Sequence, residues 1–262
     1  MARLCTLASG SSGNSTYIST TDGDILVDAG ISCKRIMAAI DEAGVNASNL
    51  KAVAITHTHD DHINGLKTFL KTTKLPLIAS AKTIETLGQK DIIPITTKII
   101  VAESEVITLG DMAIKFFKTS HDAEGSGGYV VHLPDGRRAA VCTDLGIVTD
   151  DVRNHLLGCE TIVLESNHDI EMLRQGPYPA NLKLRILSDT GHLSNNACAA
   201  ELPDLLRSGT TRIILGHISK ECNSPILAES TAKTMLASIG AKADVDYVLT
   251  SAKPKTVGVS TF

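Results

Sequence analysis

The 262-residue sequence has no tryptophan, and phenylalanine and tyrosine together make up only 3% of it. Its core must therefore be filled by Ile, Leu, Val and Ala, within a hydrophobic content of 43%. No stretch approaches the roughly 18 consecutive apolar residues of a membrane span. The six cysteines, Cys5, Cys33, Cys142, Cys159, Cys198 and Cys222, form no CxxC pair and follow no regular spacing. That is the pattern of free thiols in a reducing compartment. MARLCTLASGSSGN carries no apolar secretion core, so the expected location is cytoplasmic. Net charge is −4 with no long run of one sign. Contact with nucleic acid would have to rest on a local patch and not on a basic surface.

Apolar runs and helical patterns alternate along the chain. Strands are expected at 3–7, 15–19, 24–28, 52–56, 76–79, 98–101, 112–119, 127–133, 138–143, 161–165, 212–216, 246–249 and 255–259. Helices are expected at 32–43, 63–72, 81–88, 150–157, 169–174, 179–187, 195–207 and 226–239. Each half opens with closely spaced strands, as in hairpins, before helices mix in. That order predicts a layered α/β architecture with two sheets between helices, in one domain over 1–262. There is no low-complexity stretch, linker or short-period repeat. GPYPANLK at 176–183 is the most proline-rich loop.

AITHTHDDHINGL, residues 54–66, crowds His57, His59, Asp60, Asp61 and His62 together. VAIT reads as a buried strand, and Ile63, Leu66 and Leu70 fall at helical spacing. The cluster thus lies where a strand ends and a helix begins, the place where open α/β sheets carry their sites. In extended backbone His57 and His59 point to one side, while Asp61 and His62 turn towards a second point. Neutral imidazole suits Zn, Fe, Ni or Cu, and carboxylate suits harder ions. Two ions about 3.5–4 Å apart would fit such a stretch. A polar loop with helix-capping aspartates is the plainer alternative, but unliganded histidines this dense would repel one another once protonated. His121 after KFFKTS, Asp144 after AAVCT and His217 after IILG repeat one situation, a ligand-type residue just past an apolar strand.

The HxHxDH spacing, with these strand-end residues, resembles the metallo-β-lactamase superfamily, whose fold is a four-layer αβ/βα sandwich. The resemblance implies two divalent metal ions (Zn, Mn or Fe). His57, His59 and His121 would bind one, Asp61, His62 and His217 the other, and Asp144 would bridge them. Asp28, ending ILVDAG, would orient ligands from behind; as a residue it also suits a turn before Gly30. SHDAEGSGGY looks like tRNase Z and its phosphodiesterase relatives, in which a Glu–His pair donates a proton. IVLESNHD offers Glu165 for that pair and DTGHLSNN offers His192, although Ser194 and Asn195 also read as helix caps with His192 merely preceding them.

LASGSSGNSTYI, CTDLGIVTDDV, the stretch from VLESNHD to GHLSN, and GHISKECNSP are similar to the YycJ/WalJ-like subgroup. Its members are regarded as DNA-processing 5′ to 3′ exonucleases. The chain has no room for the inserted cap of RNase J-type nucleases or the extended arm of tRNase Z. The likeness implies a dinuclear-metal-dependent phosphodiesterase acting on DNA through a metal-bridging hydroxide, with Asp61, Glu165 and His192 catalytic. A hydrolase of small phosphodiesters or esters is the alternative.

Several residues suit substrate contact. SGSSGN at 9–14, with Ser11 and Ser12, would aim backbone N–H groups at an anion, or serve as a plain hairpin turn. Lys220 and Asn223 follow His217 and suit phosphate, and His168 suits the site's lining. Arg174, Lys183 and Arg185 would track a nucleic-acid backbone or simply form a solvated helix face. Cys222 resembles a β-lactamase ligand in type only. His132 and His155 carry no signal.

Overall fold

A computed structural model describes residues 2–103 and 106–262. The first sheet takes β1 (Arg3–Ala8), β2 (Ser15–Ser19), β3 (Asp24–Val27), β4 (Leu50–Ala54), β5 (Leu77–Ala79) and β6 (Ile99–Val101). The second takes β7 (Ile107–Leu109), β8 (Met112–Lys118), β9 (Gly127–His132), β10 (Arg138–Cys142), β11 (Thr161–Glu165), β12 (Arg212–Gly216) and β13 (Val248–Ser251). A last strand, β14 (Gly258–Thr261), returns to pair with β1, so both sheets have seven strands among the described residues.

Each sheet has an antiparallel part and a parallel part. β1, β2 and β3 pair antiparallel through short turns, and β3 to β6 run parallel. β7 to β10 are antiparallel, and β10 to β13 parallel. Parallel neighbours need crossovers, which helices supply. In the first sheet these are α1 (Cys33–Glu42), α2 (Asp60–Ile63), α3 (Leu66–Thr73) and α4 (Ala81–Gln89). In the second they are α5 (Asp150–Leu156), α6 (Ile170–Gln175), α7 (Ala180–Ile186), α8 (Asn195–Arg207) and α9 (Pro225–Ser238). Ser32, Ser80, Thr149, Ser194 and Ser224 cap five of these helices with side-chain oxygens, each worth about 1 kcal/mol.

The sheets face one another across a core in which Leu4, Ile18, Ile25, Val27 and Ala54 meet Ile114, Phe116, Tyr129, Val131 and Val141. Ile36, Ile40, Leu66, Phe69 and Leu87 pack helices on the outer face of the first sheet. Val152, Leu156, Leu202, Leu205 and Leu236 do the same for the second. The result is the four-layer αβ/βα sandwich. β11 is buried at every residue, as a strand inside a helix-covered parallel sheet must be. All six cysteines are buried and unpaired. Among the described residues no helix is long and apolar enough to cross a membrane.

The expected elements recur with shifts of a few residues, and two differences matter. β7 was not expected: three residues at a sheet edge leave too short a pattern to read. The helix expected over 63–72 is instead two, α2 and α3. The carbonyl of Asp61 accepts from Asn14 N at 2.7 Å, and Gly65 N donates to Ala29 O at 2.8 Å. Two groups that would continue one helix are thus diverted to neighbouring loops. The break places Asp61 and His62 in the first turn of α2, facing the cleft between the sheets' rims.

Candidate active site

The parallel strands of both sheets end at one rim, and the ligand-type residues come just after those ends. Asp28 follows β3, Asp144 follows β10 and His217 follows β12. All three hold left-handed backbone, with φ of 63°, 62° and 52°. Such a conformation costs a non-glycine residue of order 1–3 kcal/mol and persists only where the surroundings impose it. Here they do. Asp28 N donates to Ala54 O at 2.8 Å, and His217 N donates to Ser9 Oγ at 2.8 Å. The left-handed turn swings the Asp144 and His217 side chains off their sheet and into the cleft, and the Asp28 side chain towards the back of the His62 ring.

Two groups of side chains meet there. His59 Nδ1 lies 3.1 Å from both His57 Nε2 and His121 Nε2. Beside them His62 Nε2 is 3.7 Å and His217 Nε2 3.3 Å from Asp61 Oδ2. Asp144 stands between the groups, its Oδ2 3.1 Å from His62 Nε2 and its Oδ1 3.9 Å from His121 Nε2. The structure therefore brings His57, His59, Asp61, His62, His121, Asp144 and His217 together in clusters suited to a cation.

The donor chemistry fits a divalent metal ion. Asp144 Oδ2 is buried, and the His62 ring at 3.1 Å is its one pairing partner among the described residues, a shortfall that a cation between the groups would relieve. Burial, then the positive field of neighbouring rings, holds His57 well below the usual histidine value and also lowers His59. Both stay neutral, the form that binds metal. Burial, the largest single effect, opposes ionisation of Asp61, but the hydrogen bond from His217 and the charges of His62 and His217 together outweigh it, and its pKa falls.

Most of these rings are also held from behind, which frees Nε2 for the cleft. His62 Nδ1 lies 2.7 Å from Asp28 Oδ2, and Asp28 Oδ1 accepts from Thr56 N at 2.9 Å. Thr56 Oγ1 meets His57 Nδ1 at 3.0 Å. His121 Nδ1 donates to Gly191 O at 3.0 Å. His59 is the exception: its Nδ1 faces the group, and its Nε2 looks to Asp122 Oδ1 at 3.6 Å.

Glu165, at the end of β11, is fully buried. Its Oε1 meets His192 Nδ1 at 2.9 Å and His217 Nδ1 at 2.7 Å. Its Oε2 accepts from Leu145 N and Leu193 N. Burial alone would raise the Glu165 pKa, but the adjacent His192 charge and the two ring N–H groups bring it down to about 2. Burial works against a charged His192, yet the Glu165 carboxylate outweighs it and raises that pKa. The pair expected from the sequence is thus in contact, with the His192 ring lining the cleft.

That cleft measures about 390 Å³ and is lined by Ser11, Asp61, Asp144, Asn167, Tyr178, Leu182, Arg185, His192, His217 and others. The substrate contacts expected from the sequence fare unevenly. Ser11 lines the cleft, but Ser12 and Lys220 are exposed and do not. Asn223 is buried, its amide spent on Ser166 O, Asn167 O and Asn195 Oδ1, so it braces the wall from behind. His168 is buried away from the lining, with neither ring nitrogen hydrogen-bonded, and burial pushes its pKa down to about 4. Cys222 packs with Leu173 and Ile186, outside the ligand groups. Arg174 pairs with Glu171 at the surface, whereas Arg185 reaches the cleft.

Other site residues were not legible in the sequence. Asn14 accepts from Gly10 N through Oδ1 at 2.8 Å, and its Nδ2 lies 3.3 Å from Asp61 Oδ2. The 9–14 loop therefore serves chiefly to brace Asp61 and His217. In the sequence Thr56 is only the end of a strand. Asn167 donates to His217 O at 2.8 Å. For Thr56 and Asn167 the one available signal is position, beside His57 and between Glu165 and His168; Asn14 carries none beyond its place in the Gly/Ser loop.

A β-lactamase superfamily domain model matches residues 24–218. The chain is 38% identical to exodeoxyribonuclease YycJ of Bacillus anthracis over 235 residues, 89% of each chain. It is also 38% identical to exodeoxyribonuclease WalJ of Streptococcus pneumoniae serotype 2 over 256 residues, 95% of this chain and 94% of that one. Among solved structures, the metallo-β-lactamase fold protein YhfI from Bacillus subtilis shares its fold with a TM-score of 0.72 over 99% of both chains, at 18% identity.

Proposed function

This chain belongs to the metallo-β-lactamase superfamily, and on that premise we propose that it is a two-metal phosphodiesterase cleaving DNA from an end, 5′ to 3′, with residues 1–262 acting as one hydrolase domain. The observation that carries this reading is the Glu165–His192 pair beside Asp144, facing the same cleft as the histidine and aspartate groups. A metal-binding protein without catalysis has no need of a second, carboxylate-backed histidine there. The two relatives named as exodeoxyribonucleases, each similar over most of the chain, support DNA as the substrate.

His57, His59 and His121 would hold one divalent ion, Asp61, His62 and His217 the other, with Asp144 between. Bound there, the ions would neutralise phosphate charge and lower the pKa of water at the site. The protein's own groups do the rest. The cleft seats the phosphodiester over Asp61 and Asp144. The water, having lost one proton to solvent, bonds through its oxygen to phosphorus as the P–O bond to the leaving oxygen breaks. His192 Nε2, on the far side of the ring from Glu165, gives its proton to that leaving oxygen. Glu165 orients the ring and stabilises its charged form, and the proton donation by His192 is typically worth about 10²–10⁴ in rate.

The test is digestion of end-labelled single- and double-stranded DNA by protein of known metal content, with Zn, Mn or Fe supplied and then removed by a chelator. Stepwise shortening from the 5′ end, abolished by the chelator and restored by metal, is expected. Intact DNA alongside rapid hydrolysis of bis(p-nitrophenyl) phosphate would move the reading to small phosphodiesters.

A further inference from the structure

We propose that Tyr178 is the stacking platform for the nucleobase next to the scissile phosphate, an inference that rests on the nuclease reading above. The chain has four tyrosines, four phenylalanines and no tryptophan. Phe69, Phe116, Phe117, Phe262, Tyr17, Tyr129 and Tyr247 are all buried. The eighth, Tyr178, is partly exposed and lines the cleft that holds Asp61, Asp144, His192 and His217. The one aromatic ring left accessible thus stands at the site. An aromatic ring receives any base by its π-face.

The ring is presented rigidly. Tyr178 lies between Pro177 and Pro179, which fix their own φ and confine the residue before them to extended backbone. It packs against the small apolar cluster of Leu173, Ile186 and Cys222. That wall is tied to the chemistry at two points. Arg185 Nη2 donates to Asp122 Oδ1 at 3.1 Å, beside His121. His192 N donates to Ile186 O at 3.0 Å. The platform therefore keeps a set distance from the ligand groups and from the His192 ring. A cleft of about 390 Å³ sits at the small end of ligand pockets, which run from roughly 300 to 1,000 Å³. It has room for one nucleotide-sized unit beside the ring.

Two variants, Tyr178→Leu and Tyr178→Phe, separate stacking from packing, because Leu still fills the apolar cluster and Phe keeps the ring. Each is compared with wild type on single-stranded oligonucleotides carrying either a normal base or a tetrahydrofuran abasic unit beside the scissile phosphate. On the normal substrate the Leu variant should lose about 5- to 150-fold in kcat/KM, mostly through KM, as expected for one stacked base. Phe should retain activity. On the abasic substrate wild type should fall to the level of the Leu variant, which itself changes little. A Leu variant equal to wild type on the normal substrate overturns the proposal. So does an equal loss on both substrates, which would mark a packing role. Wild-type protein that leaves both oligonucleotides intact refutes the nuclease reading itself, and the platform with it.

Discussion

Asp28→Asn tests whether the nitrogen at the back of a ligand ring decides what the front can hold. Asn matches Asp in shape and, like Asp, tolerates the left-handed backbone at φ 63°, so the chain need not move. The carboxylate now faces three partners, the Thr56 N–H at 2.9 Å, the Thr56 hydroxyl at 2.9 Å and His62 Nδ1 at 2.7 Å, of which the hydroxyl can turn to accept as well as donate. An amide has only one acceptor to offer. Thr56 N–H can only donate, so the amide oxygen must turn to it and the NH₂ must face His62. His62 Nδ1 then has to accept, which moves the ring proton to Nε2, and a protonated Nε2 cannot hold a cation. Loss of such an orienting partner typically weakens metal binding 10- to 100-fold, or about 1.4–2.8 kcal/mol at 1.4 kcal/mol per decade. Titrating Zn or Mn into metal-stripped protein against a fluorescent chelator measures this, with circular dichroism to check the fold. A folded variant whose affinity stays within twofold of wild type would refute the reasoning.

Two further substitutions probe the catalytic and architectural claims. His192→Ala should keep its bound metal but lose about 10²–10⁴ in kcat, and unchanged turnover would remove His192 from the chemistry. As a proton donor His192 must be charged, and its pKa is raised above the ordinary 6.5. Activity should therefore persist through neutral pH and fall as pH rises through that raised value; an alkaline limb that survives in His192→Ala belongs to some other group. Gly30→Ala would put a methyl group 1.7 Å from the Asp61 carbonyl oxygen and 2.6 Å from Asn14 N, both backbone. Overpacking of this kind costs about 1–3 kcal/mol, or roughly 2–12 °C in Tm for a chain of this size. Metal affinity should fall with it, because the displaced carbonyl belongs to the Asp61–His62 turn. Unaltered melting and metal content would show that the loop yields freely.

The strands and helices were largely legible because their apolar periods are local properties of the chain. β11, TIVLE, could hardly be anything but an interior strand, and Asn195–Arg207 carries its own serine cap and apolar stripe. Neutral imidazoles and carboxylates grouped at strand ends likewise announce metal chemistry before any fold is known, since each residue type and its place relative to a strand are written in the sequence. The break at Gly65 escaped that reading, because its cause is a pair of hydrogen bonds to residues 14 and 29.

Direction and burial belong to tertiary structure. Asn223 follows His217 closely, yet its amide points into the wall, because Ser166, Asn167 and Asn195 arrive there from other elements. His168 shares a stretch with Glu165 but is sealed behind it. Asn14 and Thr56 brace the ligands, and their polar atoms found those partners only when distant loops converged. Sequence alone determined which chemistry this chain can do, because donor atoms and strand ends are properties of single segments. Only the folded chain decided which donors share a space, because a side chain's neighbours across a cleft come from segments far apart in the chain.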